Sequence, residues 1–99
     1  MAVLNGLSND KYFDFFEDIC KIPHGSTNER EISQYLVDFA QERGLYCRRD
    51  EMNNVLIKKS ATNGFAHAAP VILQGHIDMV CEKEAGVIHD FLKDPLAVY

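Results

Sequence analysis

Two residues in this 99-residue chain carry the clearest chemical signal, His76 and Asp78 in the run Gly75-His76-Ile77-Asp78. Residues two apart on an extended strand point to the same side. An imidazole there can offer one ring nitrogen to a metal ion while a neighbouring carboxylate holds the other nitrogen, fixing tautomer and basicity. Four histidines are present, and with Asp at about one residue in twenty, some H-x-D arises by chance in roughly one such chain in five. The spacing alone therefore decides little. What strengthens it is the preceding run Pro70-Val71-Ile72-Leu73-Gln74, apolar on consecutive positions. A strand apolar on both faces is one buried on both faces, and α/β sheets place their sites just beyond the carboxyl ends of such strands. The plainer reading, a satisfied loop histidine, stands beside it.

The other candidates are weaker. His24 lies in a loop before a helix start and His67 in an Ala-rich loop, and such residues are more often plain surface histidines. His89 adjoins Asp90, but adjacent strand residues point to opposite faces. Gly64, Gly75 and Gly86 stand singly, so no phosphate loop is present, and no serine sits in a G-x-S-x-G elbow. A net charge of −5 with only ten Lys and Arg argues against a nucleic-acid surface. No apolar stretch approaches membrane-spanning length, and no secretory leader opens the chain. Cys20, Cys47 and Cys81 are odd in number and lack a C-x-x-C, which fits neither a disulfide framework nor a zinc ribbon. Unpaired thiols suit a reducing cytoplasm, and each is expected as a small buried hydrophobe.

The elements that must position His76 and Asp78 can be read from periodicity. Ser8 and Asn9 are natural N-caps, and Tyr12, Phe15, Phe16 and Ile19 recur at helical spacing, giving a first helix with an aromatic core face that Pro23 terminates. Ser26-Thr27-Asn28-Glu29 fits a capping box. It opens a second helix over about 27–43 with Ile32, Tyr35, Leu36 and Phe39 on its apolar face and Gly44 as a left-handed C-cap. Leu45–Arg49 and Asn54–Lys58 read as an antiparallel strand pair around Met52-Asn53-Asn54. The fold class expected is α/β, with two helices, a strand pair and a central buried strand at Val71–Gln74. The abrupt Leu96-Ala97-Val98-Tyr99 ending reads as a strand cut partway, so the chain is expected to be a fragment.

Taken together, Asp18 to His24, the helix from Ser26 to Gly44, Asn54 to Ile57 and above all Val71 to Val80 resemble the zinc aminopeptidase and carboxypeptidase superfamily. His89-Asp90-Phe91 followed by Lys93-Asp94-Pro95 is similar to the branch of aminoacyl-histidine dipeptidases, also called carnosinase or peptidase D. The resemblance implies that residues 1–99 are the N-terminal portion of a three-layer catalytic domain, incomplete by itself. It implies that His76 ligates one of two catalytic zinc ions, replaceable by manganese or cobalt, and that Asp78 is the catalytic carboxylate orienting a ligand imidazole. No role is carried over for His89 to Pro95. The implied reaction is hydrolysis of a dipeptide ending in histidine by a cytoplasmic, homodimeric enzyme. The remaining ligands, the general base and the dimerisation segment would lie beyond Tyr99, so the isolated chain is expected to be inactive and its Val71–Gln74 strand to lose cover. The alternative is a truncated relative that acts as an interaction module.

Overall fold

A computed structural model of the protein describes residues 11–98, so the caps expected at Ser8 and Asn9 lie outside the described residues. The element order is α1 (Lys11–Lys21), α2 (Arg30–Glu42), β1 (Tyr46–Arg49) and β2 (Val55–Lys58). The chain divides into two compact units. One contains α1, the loop after it, the first residues of α2 through Ile32, and the chain from Asp78 onward; the other is Ser33–Ile77.

In the first unit α1 ends two residues before Pro23, as the steric restriction on the residue before a proline requires. Its buried face differs from the expected aromatic stripe. Glu17 and Cys20 are buried, whereas Tyr12 is 76% and Phe16 52% exposed. The buried apolar set among the described residues is only Cys20, Ile32 and Ala40, too little to cover several large rings. Burial, and then the charge of Glu17, push the Cys20 thiol upward from its ordinary pKa. Cys47 is half-buried and Cys81 exposed, so one of the three cysteines takes the expected interior role.

In the second unit α2 stops where Gly44 predicts. Gly44 has φ of 64°. The Leu45 N–H donates to the Ala40 carbonyl at 2.9 Å and the Gly44 N–H to the Gln41 carbonyl at 3.1 Å, the paired bonds of a Schellman cap. Arg43 lies over the Phe39 ring at 3.6 Å from its centroid and donates to the Phe39 carbonyl at 3.1 Å, closing the same end with a cation.

From this cap the chain enters β1, which pairs antiparallel with β2 in the register Tyr46 opposite Lys58 and Arg49 opposite Val55. The turn is organised by Asp50. Its Oδ1 accepts from the Met52 N–H at 2.8 Å and the Asn54 N–H at 2.9 Å, and its Oδ2 from Asn54 Nδ2 at 2.9 Å. Asn53 takes the left-handed conformation, φ 67°, that asparagine tolerates better than most residues. Arg49 donates to the Gln34 side chain at 2.8 Å, tying the strand to α2.

The central strand expected at Val71–Gln74 is not formed. Residues 59–77 contain no helix or strand, and Val71, Ile72 and Leu73 are 83%, 88% and 92% exposed. A two-sided apolar strand needs neighbours for its backbone and layers on both faces, and the described residues of this unit provide neither. This is the loss of cover expected for the run.

Two consequences can be measured. Gly44→Ala places a Cβ on a left-handed residue with open space around it, so the cost is conformational, about 1 kcal/mol in urea unfolding. The bonds from Asn54, first its side chain and then its backbone, hold the Asp50 pKa below the usual aspartate value. A carboxylate depressed in the folded state contributes stability above its unfolded pKa and loses it as pH falls through the folded value. Amide shifts of residues 50–54 are therefore expected to move to turn-open values at the acid end of the aspartate range, and Asp50→Asn to abolish that transition.

Candidate functional site

Asp78 is positioned by a backbone clamp in the first unit. The Met79 N–H donates to the His24 carbonyl at 2.9 Å and the Ser26 N–H to the Met79 carbonyl at 3.0 Å, giving a parallel bridge between Gly25 and Met79. Gly25 is buried, and a Cβ there would overlap Cys81 Sγ. The missing side chain at position 25 leaves room for the Cys81 thiol beside the bridge.

Beyond the clamp the chain makes a turn closed by the Asn28 N–H on the Gly25 carbonyl at 2.8 Å. Thr27, at the third position, has φ of 74°. A β-branched residue in this region is an outlier that costs on the order of 1–3 kcal/mol. The expected capping box is not made. Helix α2 starts at Arg30, and the Glu29 carboxylate accepts from the Thr27 N–H at 2.6 Å instead of reaching back to Ser26. The Ser26 hydroxyl turns away from the helix and donates to Asp78 Oδ2 at 2.6 Å. Asp78, not the helix, receives the hydroxyl, because the left-handed Thr27 separates Ser26 from the helix start.

Asp78 is thus half-buried and held by a partner 52 residues earlier. His76 is exposed at the end of the irregular 59–77 segment. Imidazole and carboxylate are donor types that zinc accepts directly or through a supporting bond. A catalytic zinc takes three protein ligands, and no group of three or more His, Cys, Asp or Glu side chains converges among the described residues. The donor chemistry of His76 and Asp78 suits at most one ligand and its support, and no third donor joins them among the described residues.

The other histidines have local roles. His24 Nδ1 lies 2.6 Å from the Ile22 carbonyl, a bond that requires the proton on Nδ1. His67 is exposed. His89 packs edge-on against Phe91, ring centroids 4.6 Å apart, and its Nε2 is buried without a hydrogen-bond partner. Both His24 and His89 line a cavity of only about 10 Å³, room for a single water. The His89–Pro95 stretch is a self-locked turn. Asp94 Oδ2 accepts from the Asp90 N–H at 2.7 Å, Asp90 Oδ1 from the Leu92 N–H at 2.9 Å, and the Asp94 N–H donates to the Asp90 carbonyl at 2.7 Å. The Leu96 N–H then donates to the Cys20 carbonyl at 2.8 Å, capping α1. This branch motif does structural work here. The larger concavity, about 620 Å³ between Gly44–Tyr46 and Lys58–Ser60, contains no imidazole or carboxylate side chain.

Sequence reasoning missed Ser26 as a partner of Asp78. Its signal, a serine before an α-helix, is the ordinary mark of a cap, and nothing in local spacing points 52 residues away.

Two helices and an antiparallel strand pair match a fragment of a dipeptidase structure, which defines the class of protein the chain resembles. The match is to the crystal structure of aminoacylhistidine dipeptidase from Vibrio alginolyticus, with a TM-score of 0.84 and 46% identity, covering 89% of this chain and 18% of that one. The chain is also 43% identical over all 99 residues to the cytosol non-specific dipeptidase of Escherichia coli K12, of which it spans 20%. The chain therefore spans about a fifth of the length of these relatives. No family model matches it. Among the described residues no helix is long and apolar enough to cross a membrane.

The clamp predicts a specific pattern of rescue. Gly25→Ala is expected to destabilise the protein by about 1–3 kcal/mol through overpacking. Adding Cys81→Ala should restore most of that loss in a double-mutant cycle read by urea unfolding, since the side chain in the way is then removed.

Proposed function

We propose that residues 1–99 form the N-terminal part of the catalytic domain of a dipeptidase in the aminoacyl-histidine branch, and that the complete enzyme hydrolyses Xaa-His dipeptides with zinc. The observation that carries this reading is the 43% identity along the whole chain to a named dipeptidase. The structural match at a TM-score of 0.84 supports it. Two metal ions in such a centre polarise the scissile carbonyl and lower the pKa of a bound water. This chain's contribution is more limited. His76 would supply one imidazole nitrogen to a metal, and Asp78 would be the carboxylate that orients and tunes a ligand imidazole. Exposure of His76 fits a ligand on a surface that further chain completes. The native enzyme is a homodimer of the cytoplasm in this reading, and the 99-residue chain alone, short of ligands, is inactive.

The test uses the natural full-length protein. Hydrolysis of an Xaa-His dipeptide is expected, with loss of activity on chelation and recovery on adding zinc. His76→Ala should lower kcat by at least about 100-fold, the upper range for disturbing a metal's ligand shell. Robust turnover by the 99-residue chain, or chelator-resistant turnover by the full protein, would overturn the reading. The exposed Val71–Leu73 run supports the second reading, a truncated relative that docks through this segment. A natural product that stops near Tyr99 and lacks hydrolase activity would favour it.

A further inference from the structure

We infer that Ser26 is a positioning residue for the Asp78 carboxylate, so that the loop between α1 and α2 takes part in setting the metal-binding imidazole. The inference rests on the dipeptidase reading, in which Asp78 orients a ligand histidine, and adds to it a residue from a distant part of the chain.

Three observations within the first unit carry it. The Ser26 hydroxyl lies 2.6 Å from Asp78 Oδ2, within the short range of hydroxyl-to-carboxylate bonds, and 3.3 Å from the Met79 carbonyl. A hydroxyl has one proton, and the shorter, charged acceptor takes it. Second, the two stretches of main chain that carry this bond are held together. The reciprocal backbone bonds of His24, Ser26 and Met79 fix the two main chains against each other, and Gly25 leaves room for the Cys81 thiol beside them. Third, the loop sacrifices a favourable arrangement to present this hydroxyl. The helix cap available to Ser26 is not used, and Thr27 sits in a left-handed conformation that its branched side chain disfavours. Strain of this kind concentrates where geometry serves a site.

The physical effect is rotational. A carboxylate turns readily about its last bond, so a supporting Asp holds an imidazole well only if its plane is itself held. With Oδ2 committed to Ser26, Oδ1 would be left in one orientation to receive the proton of a ligand imidazole. Ser26 touches neither metal nor substrate in this scheme; it acts through Asp78.

The experiment compares Ser26→Ala, Ser26→Thr and His76→Ala in the full-length protein. Zinc affinity is read by competition with a chromophoric chelator, alongside kcat, KM and thermal unfolding of the metal-free protein. Ser26→Ala is expected to weaken zinc binding and lower kcat roughly tenfold, the lower end of the range for losing an outer-shell partner. KM should stay within about twofold and the metal-free unfolding temperature unchanged, because the serine is exposed. Ser26→Thr, which keeps the hydroxyl, should restore both. If Ser26→Ala binds zinc and turns over like the wild type while His76→Ala loses both, the inference falls and the dipeptidase reading stands. It falls as well if both Ser26 variants lower zinc affinity equally with a matching loss of thermal stability, which marks a structural role. If His76→Ala retains zinc affinity and hydrolysis, the dipeptidase reading falls and this inference with it.

Discussion

The first unit depends on two backbone hydrogen bonds between the loop after α1 and the chain beginning at Asp78. They join segments more than fifty residues apart in sequence, so they must offset a substantial loop-closure entropy, although that entropy grows only slowly with loop length. A side chain at position 25 would overlap the Cys81 thiol packed beside the clamp. Everything of chemical interest nearby follows from the register those two bonds set: which residue faces Asp78, why the Ser26 hydroxyl leaves the helix, and why Thr27 must take up a strained conformation. The self-locked turn from Asp90 to Asp94 and the Leu96 bond to Cys20 extend the arrangement by fastening the later chain to the end of α1.

The second unit is organised on more local terms. The Schellman cap delivers the chain from α2 into β1, the Asp50 turn returns it as β2, and Arg49 ties the strand pair back to Gln34. The cap and the turn span few residues, the Arg49–Gln34 link spans fifteen, and all use hydrogen bonds that replace those to water. Very little apolar surface is fully covered: Ala40 is the one buried apolar residue of this unit among those described. Hydrophobic burial is the main driving term in folding, so the exposed Val71–Leu73 run represents stabilisation that the described chain does not realise.

Much of the secondary structure was legible because its causes are local. Pro23 restricts its predecessor whatever lies around it, Gly44 accepts a left-handed φ at no steric cost, and Asn53 tolerates one better than most residues. The predicted helix end, C-cap and hairpin are accordingly found within a few residues of where the pattern placed them. The capping box was misread for the opposite reason. Ser26 and Glu29 have the right types and spacing, but the left-handed Thr27 breaks the chain's approach to the helix, α2 starts only at Arg30, and the Ser26 hydroxyl donates to a carboxylate from a remote segment.

The aromatic stripe of α1 and the strand at Val71–Gln74 show the same division. Periodicity states which residues share a face or could be buried; it does not supply the partner that buries them. By itself the sequence determined the helices, the hairpin and the choice of His76 and Asp78 as the chemically notable pair. Only the tertiary structure decided that Ser26 holds Asp78, that α1 turns Cys20 and Glu17 inward, and that the apolar run stays open. Burial and long-range hydrogen bonds are properties of pairs of segments, and their strength depends on geometry that local sequence does not encode.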